Sequence, residues 1–210
     1  MPFRAALFDF DGTLADSFAA ITSSTNHVRR SYGLPPMTEA EVRGYVGFGL
    51  DKLMSDLVPG APVGEAVARY REHHAGVMVS ETRLLPNVGD TVRALAGRGL
   101  KLAVCSNKRV EFTRELVRAL GLDEYFAYVL GPDDVGDRAK PDPAMLLEGL
   151  KRLEVSPAEA VYVGDMVVDV RTARAAGVEV WLVPTGTTDP GEEPDRRLTS
   201  FEELLALLAG

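Results

Sequence analysis

An unbroken apolar run at 5–8 leads into two aspartates two positions apart, then a glycine and a hydroxyl, in the stretch Leu7-Phe8-Asp9-Phe10-Asp11-Gly12-Thr13-Leu14. A short apolar run closed by glycine predicts a strand buried on both faces, as in parallel sheets. Similar runs recur at 100–105, 128–130, 160–163 and 178–183, each followed by a polar or turn-forming cluster. Between them, 88–98, 110–120, 144–153 and 167–176 predict helices. Gly33-Leu34, Gly99-Leu100, Gly121-Leu122 and Gly177-Val178 share one stop signal. A glycine followed by an apolar residue fits a left-handed helix cap with its hydrophobic contact. Strands separated by helices imply right-handed crossovers, so the expected fold is α/β, with a doubly wound, Rossmann-like parallel sheet of about five strands.

The stretch 16–83 breaks this alternation. It predicts a helix over 16–33, opened by Asp16 or Ser17 and closed by Gly33, then an interruption at Pro35-Pro36. Thr38-Glu39-Ala40-Glu41 offers a capping box for a second helix. Two more helices are predicted at 50–57 and 64–79, split by Pro59-Gly60-Ala61-Pro62, and Val46-Gly47-Phe48-Gly49 reads as a glycine-flanked aromatic loop. A wholly helical block early in an otherwise alternating chain predicts an insertion, with natural hinges at Ala15-Asp16 and around 83–86. A polar loop at 185–197, expected to be mobile, precedes a C-terminal helix at 201–208.

Composition adds bounds. The 210 residues are 46% hydrophobic and 26% charged, ordinary for a globular protein, with a formal net charge of -8. That charge argues against nucleic acid and anionic membrane as partners, although a local cation can still favour an anionic substrate. Cys105 is the single cysteine, so no internal disulfide can form and a reducing compartment is expected. No charged segment followed by an apolar run opens the sequence, and no run approaches membrane-spanning length, so a cytoplasmic location is expected.

Candidate chemistry gathers at the predicted strand ends. The first strand delivers Asp9 and Asp11, another Ser106 and Asn107, and a later one Asp165. Two close carboxylates behind four apolar residues repel unless a cation or proton intervenes, which points to a cation site bearing a nucleophile or an acid/base group. Singly, the features have ordinary readings. Ser106-Asn107 suits a turn, Lys140-Pro141-Asp142-Pro143 a surface loop, and Asp165 with Asp169 a charged helix N-terminus. Taken together and in order at one sheet edge, they read as a site. His73-His74 sit in mid-helix without partners at metal-ligand spacing and read as surface residues, His27 has no assigned role, and Cys105 reads as core.

The ordered set resembles the haloacid dehalogenase superfamily, in its phosphatase branch. The family's first motif stands here as Asp9-Phe10-Asp11-Gly12-Thr13, its second-motif hydroxyl as Ser106, its third-motif lysine as Lys140, and its acidic fourth motif as Gly164-Asp165 with Asp169. The resemblance spans the chain and implies a catalytic core at 1–15 and 84–210 with a type-1 helical cap at 16–83.

It implies a phosphatase acting on a small-molecule phosphate ester through an aspartyl phosphate. Asp9 would be the nucleophile and Asp11 the acid/base, with Ser106 and Lys140 completing the catalytic set. Mg²⁺ would be the cofactor, with Asp9, Asp11 (through its backbone carbonyl), Asp165 and Asp169 as the metal-site residues. Gly12, Thr13, Ser106, Asn107 and Lys140 would hold the phosphoryl group, while Phe48 and Lys52 in the cap would reach the rest of the substrate. Ser106-Asn107-Lys108 and the stretch 133–143 resemble the phosphoglycolate phosphatase group, although Arg109 stands where that group often has proline. Phosphoglycolate is therefore the leading substrate. Two alternatives share the aspartates: a β-phosphoglucomutase-like phosphotransferase, and a phospho-accepting signalling receiver, which is smaller, lacks the helical insertion and carries its accepting aspartate after a middle strand.

Overall fold

The computed structural model describes residues 3–186 and 192–208. The opening run forms β1 (Ala5–Phe8), buried at every position. A two-residue strand β2 (Ala15–Asp16) follows, then four helices: α1 (Phe18–Ser31), α2 (Glu39–Arg43), α3 (Leu50–Leu57) and α4 (Val63–Val77). β3 (Arg83–Leu84) returns antiparallel to β2, so the expected hinge segments meet as a short ribbon at the root of the helical insertion. The alternating part comprises α5 (Val88–Gly97), β4 (Lys101–Cys105), α6 (Val110–Ala119), β5 (Tyr128–Leu130), α7 (Ala144–Leu153), β6 (Ala160–Gly164), α8 (Val167–Ala176), β7 (Glu179–Leu182), β8 (Arg196–Arg197) and α9 (Leu204–Leu207). Residues 187–191 of the loop expected to be mobile lie outside the described residues.

The sheet runs β5-β4-β1-β6-β7-β8, and every pairing in it is parallel. Among the described residues it has six strands, one more than the sequence suggested. The addition is β8, two exposed arginines held beside β7 by backbone pairing and by the Arg196 guanidinium, 5.6 Å from the Trp181 ring centre.

Alternation along β1 sends Ala6 and Phe8 into one core with Val88, Val92 and Leu95 of α5 and Leu116 of α6. Ala5 and Leu7 point the other way, into a second core with Met145, Leu146 and Leu150 of α7 and Val170 and Ala173 of α8. Helices thus cover both faces, which is why the strands read as continuous apolar runs. Each large apolar side chain buried this way contributes about 1.5–3 kcal/mol.

The chain leaves β1 for β4 and β5 on one side, then returns to β6 and β7 on the other. The carboxyl ends of β1 and β6 therefore border the point where strand order reverses, the usual place for a ligand in such sheets.

The inserted helices form a cap with its own core, including Phe18, Ile21, Val28, Leu53, Met54 and Leu57. The expected capping box is present at α2: the Thr38 N–H donates to Glu41 Oε2 at 2.7 Å, and the Glu41 N–H reaches Thr38 Oγ1 at 3.4 Å. At α1, Ser17 takes the N-cap position but its hydroxyl donates to Asp11 instead of accepting a helix N–H. Asp16 Oδ1 accepts the Phe18 N–H at 3.2 Å. The reading of His74 as a surface residue is overturned: it is buried, because the face of α4 that carries it packs on α1 and on the core. No helix among the described residues is long and apolar enough to cross a membrane.

Candidate active site

Asp9 directly follows β1 and Asp165 directly follows β6, so adjacent strands bring the two carboxylates together. Asp169, on the first turn of α8, joins them. Oxygen atoms of Asp9, Asp165 and Asp169 lie within 4.8 Å of one another, and all three residues are buried. Burial, opposed by the Lys140 charge, leaves the Asp9 carboxyl raised to about 6. Burial and the neighbouring charges of Asp169 and Asp9 push Asp165 well above the usual carboxylate range.

Lys140 is the cation inside this cluster. Its Nζ lies 2.7 Å from Asp169 Oδ1 and 2.9 Å from Asp9 Oδ2. Burial opposes its charge, but the two carboxylates outweigh that and hold the ammonium above its ordinary range. The other Asp169 oxygen accepts the backbone N–H groups of Asp165 and Met166 at 3.1 and 3.0 Å. Asp169 is therefore occupied by Lys140 on one side and the α8 N-terminus on the other. Tyr162, on β6, adds a hydroxyl that accepts from Lys140 at 3.2 Å and lies 3.1 Å from Asp169 Oδ1.

Asp9 Oδ1 is buried and has no hydrogen-bond partner. An unpartnered carboxylate oxygen beside two further carboxylates is a donor set that suits a hard divalent cation with oxygen ligands. Gly12 shapes the same place. Its φ is +83°, and a Cβ there would come within 2.4 Å of Asp165 Oδ2, so a side chain would collide with the cluster. Thr13 is buried and donates to Asp165 Oδ1 at 3.2 Å. Thr185, in the loop after β7, donates to the Gly12 carbonyl.

Asp11 stands apart from the three clustered carboxylates. Its side chain accepts from the Ser17 hydroxyl and lies 3.3 Å from Lys108 Nζ. Ser106 is buried at the end of β4, and Asn107 ties the loops together. The Asn107 side-chain amide donates to the Gly47 carbonyl of the cap at 2.9 Å and accepts from the Lys140 N–H at 2.6 Å. Gly47 sits so close to the core that a Cβ would lie 2.8 Å from Met166 Sδ.

These residues border one cavity of about 450 Å³ between cap and core, within the range of small-molecule sites. Asp9, Asp11, Ser106, Asn107 and Lys140 line it from the core. Phe48 and Lys52 line it from the cap, although the Lys52 ammonium is held by Asp56 at 2.6 Å. Asp165 and Asp169 lie behind this lining, clustered with Asp9 and Lys140, and Thr13 stands behind Asp165. Sequence reasoning missed Tyr70, Arg71, His74 and Lys108, which also line the cavity. Lys108 was visible beside Ser106-Asn107, whereas the three α4 residues carry no local signal.

His74 links the two layers. Its Nδ1 lies 3.0 Å from Ser24 Oγ, whose proton goes to the Ala20 carbonyl at 2.8 Å, so Nδ1 is assigned as the donor. Nε2 is then free to accept from Lys108 Nζ at 3.4 Å. Burial and the Lys108 charge lower the His74 pKa to about 3, which keeps the ring neutral.

A doubly wound, Rossmann-like parallel sheet with a helical cap over a buried carboxylate cluster defines the class as a Rossmann-like hydrolase with an inserted cap. Residues 6–183 match the haloacid dehalogenase-like hydrolase family, and the chain belongs to it. It is 32% identical to a phosphoglycolate phosphatase of Nitrosospira multiformis over 194 residues, 89% of this chain and 85% of that protein. It is also 32% identical to a phosphoglycolate phosphatase of Aquifex aeolicus, over 98% of this chain and 96% of that one. A crystal structure described as a predicted phosphoglycolate phosphatase from Haemophilus somnus superposes with a TM-score of 0.88 at 27% identity, covering 99% of this chain and 98% of that chain.

Proposed function

We propose that the protein is a phosphoric monoester hydrolase that cleaves a small phosphorylated metabolite, with 2-phosphoglycolate as the leading substrate. The observation that carries this reading is the buried, unpartnered Asp9 Oδ1 at the centre of the carboxylate cluster, beside the cavity that Ser106 and Lys140 also line. Family membership and the phosphoglycolate phosphatases among its relatives support the substrate class.

In this reading Asp9 attacks phosphorus, the ester P–O bond breaks, and Asp11 gives its proton to the departing alcohol oxygen. Asp11 then takes a proton from water, which attacks the aspartyl phosphate and releases inorganic phosphate and free Asp9. Ser106, Lys140 and the backbone N–H groups of Gly12 and Asn107 hold the phosphoryl oxygens. Asp169 keeps Lys140 in place. Mg²⁺, held by Asp9, Asp165 and the Asp11 carbonyl, would supply positive charge against the phosphoryl group when bound. We read 16–83 as the unit that covers the site and 1–15 with 84–210 as the unit that carries the chemistry.

The test is a phosphate-release screen across phosphorylated metabolites, with Mg²⁺ and with a chelator. Release from 2-phosphoglycolate that needs Mg²⁺ is expected, and no Mg²⁺-dependent release from any ester would contradict the proposal. Conversion of glucose 1-phosphate to glucose 6-phosphate without free phosphate would favour a phosphotransferase instead.

A further inference from the structure

The cations that line the cavity are nearly all committed. Lys140 is held by Asp9 and Asp169, Lys108 by Asp11 and Lys52 by Asp56, and Arg109 pairs with the exposed Glu111 at 3.0 Å although its Nε makes no hydrogen bond. Among the described residues, the exception is Arg71 on α4. It has no ion pair or hydrogen bond, and its Nε is buried without a partner. A guanidinium cannot shed its charge to relieve this, because it stays protonated in proteins. Such a group calls for an anion, and its planar fork matches the two oxygens of a carboxylate.

The surroundings hold the helix face that carries it. Neighbouring Tyr70 and His74 are buried and stacked, with ring centroids 5.0 Å apart, and His74 is tied to Ser24 in the cap and Lys108 in the core. Arg71 therefore belongs to the cap side of the cavity, whereas the phosphoryl-binding groups belong to the core side. A single uncommitted cation matches a monoanion better than a second phosphate, which carries nearly two charges.

We propose that Arg71 is a specificity-determining residue that pairs with a carboxylate of the substrate, and that the substrate class is the short phosphorylated hydroxy acids. This rests on the phosphatase reading above and adds to it a reason for preferring acids over neutral phosphate esters. Arg71 touches the non-reacting end of the substrate, so its contribution falls on binding more than on turnover.

The test compares kcat/KM for 2-phosphoglycolate with that for ethyl phosphate, in which a methyl group replaces the carboxylate. Wild type, Arg71→Met and Arg71→Lys are measured with Mg²⁺. The wild-type protein should favour the acid, and Arg71→Met should lower the acid-to-neutral ratio by about 10- to 100-fold, mainly through KM for the acid. Arg71→Lys should give an intermediate ratio, because a point charge cannot make the paired contact. A wild-type protein without acid preference, or a ratio unchanged in Arg71→Met, would overturn the proposal. If Arg71→Met does not fold, a wild-type ratio in Arg71→Lys overturns it. Phosphate release from neither ester by the wild-type protein would overturn the phosphatase reading and this proposal with it.

Discussion

Lys108 Nζ lies 3.3 Å from the Asp11 carboxylate, joining a residue that follows β4 to one that follows β1. Both side chains are largely shielded from solvent, so the pair is screened less than a surface ion pair. With Ser17 on its other oxygen, Asp11 is held outside the Asp9–Asp165–Asp169 cluster, where a proton donor would need to stand.

Lys108→Met should therefore reduce kcat for phosphate release by roughly 10- to 100-fold, within the range that positioned proton transfer contributes. Steady-state kinetics with Mg²⁺ check this, and circular dichroism of the same sample reports whether the fold is kept.

His74 gives a pH dependence. Its folded pKa, about 3, lies below the ordinary 6.5, so the unfolded chain binds the proton first as pH falls. Stability contributed by the neutral ring is present above pH 6.5 and is lost as pH falls toward 3, with a slope of up to about 1.4 kcal/mol per pH unit. His74→Gln should flatten this acid limb, as measured by urea unfolding between pH 7 and pH 4.

Lys140 binds two buried carboxylates, so removing it leaves buried negative charge uncompensated. Lys140→Met should cost about 3–5 kcal/mol in metal-free protein, the scale for breaking a buried ion pair. Thermal or urea unfolding in a chelator measures the loss. Added Mg²⁺ should recover part of it by neutralising the same carboxylates.

The fold was legible where the signal is local. β1, β4, β6 and β7 are apolar runs with polar or glycine stops, and Asp9, Ser106 and Asp165 were placed because each sits at such a stop. β8 was not legible, since two exposed arginines have no strand pattern and are ordered by pairing with β7. His74 was misread because its burial depends on Ser24 and Lys108, 50 and 34 residues away. Tyr162 looked like an apolar strand position, and only the fold shows its hydroxyl between Lys140 and Asp169. Arg71 carries no local signal, and only the assembled cavity brings it beside the site.

The central claim is that Asp9 receives the phosphoryl group, and Asp9→Asn tests it most directly. With 2-phosphoglycolate and Mg²⁺, the folded variant should release phosphate at least about a thousandfold more slowly than wild type, on the scale seen when a nucleophile is removed. Turnover close to wild type in that variant would contradict the account.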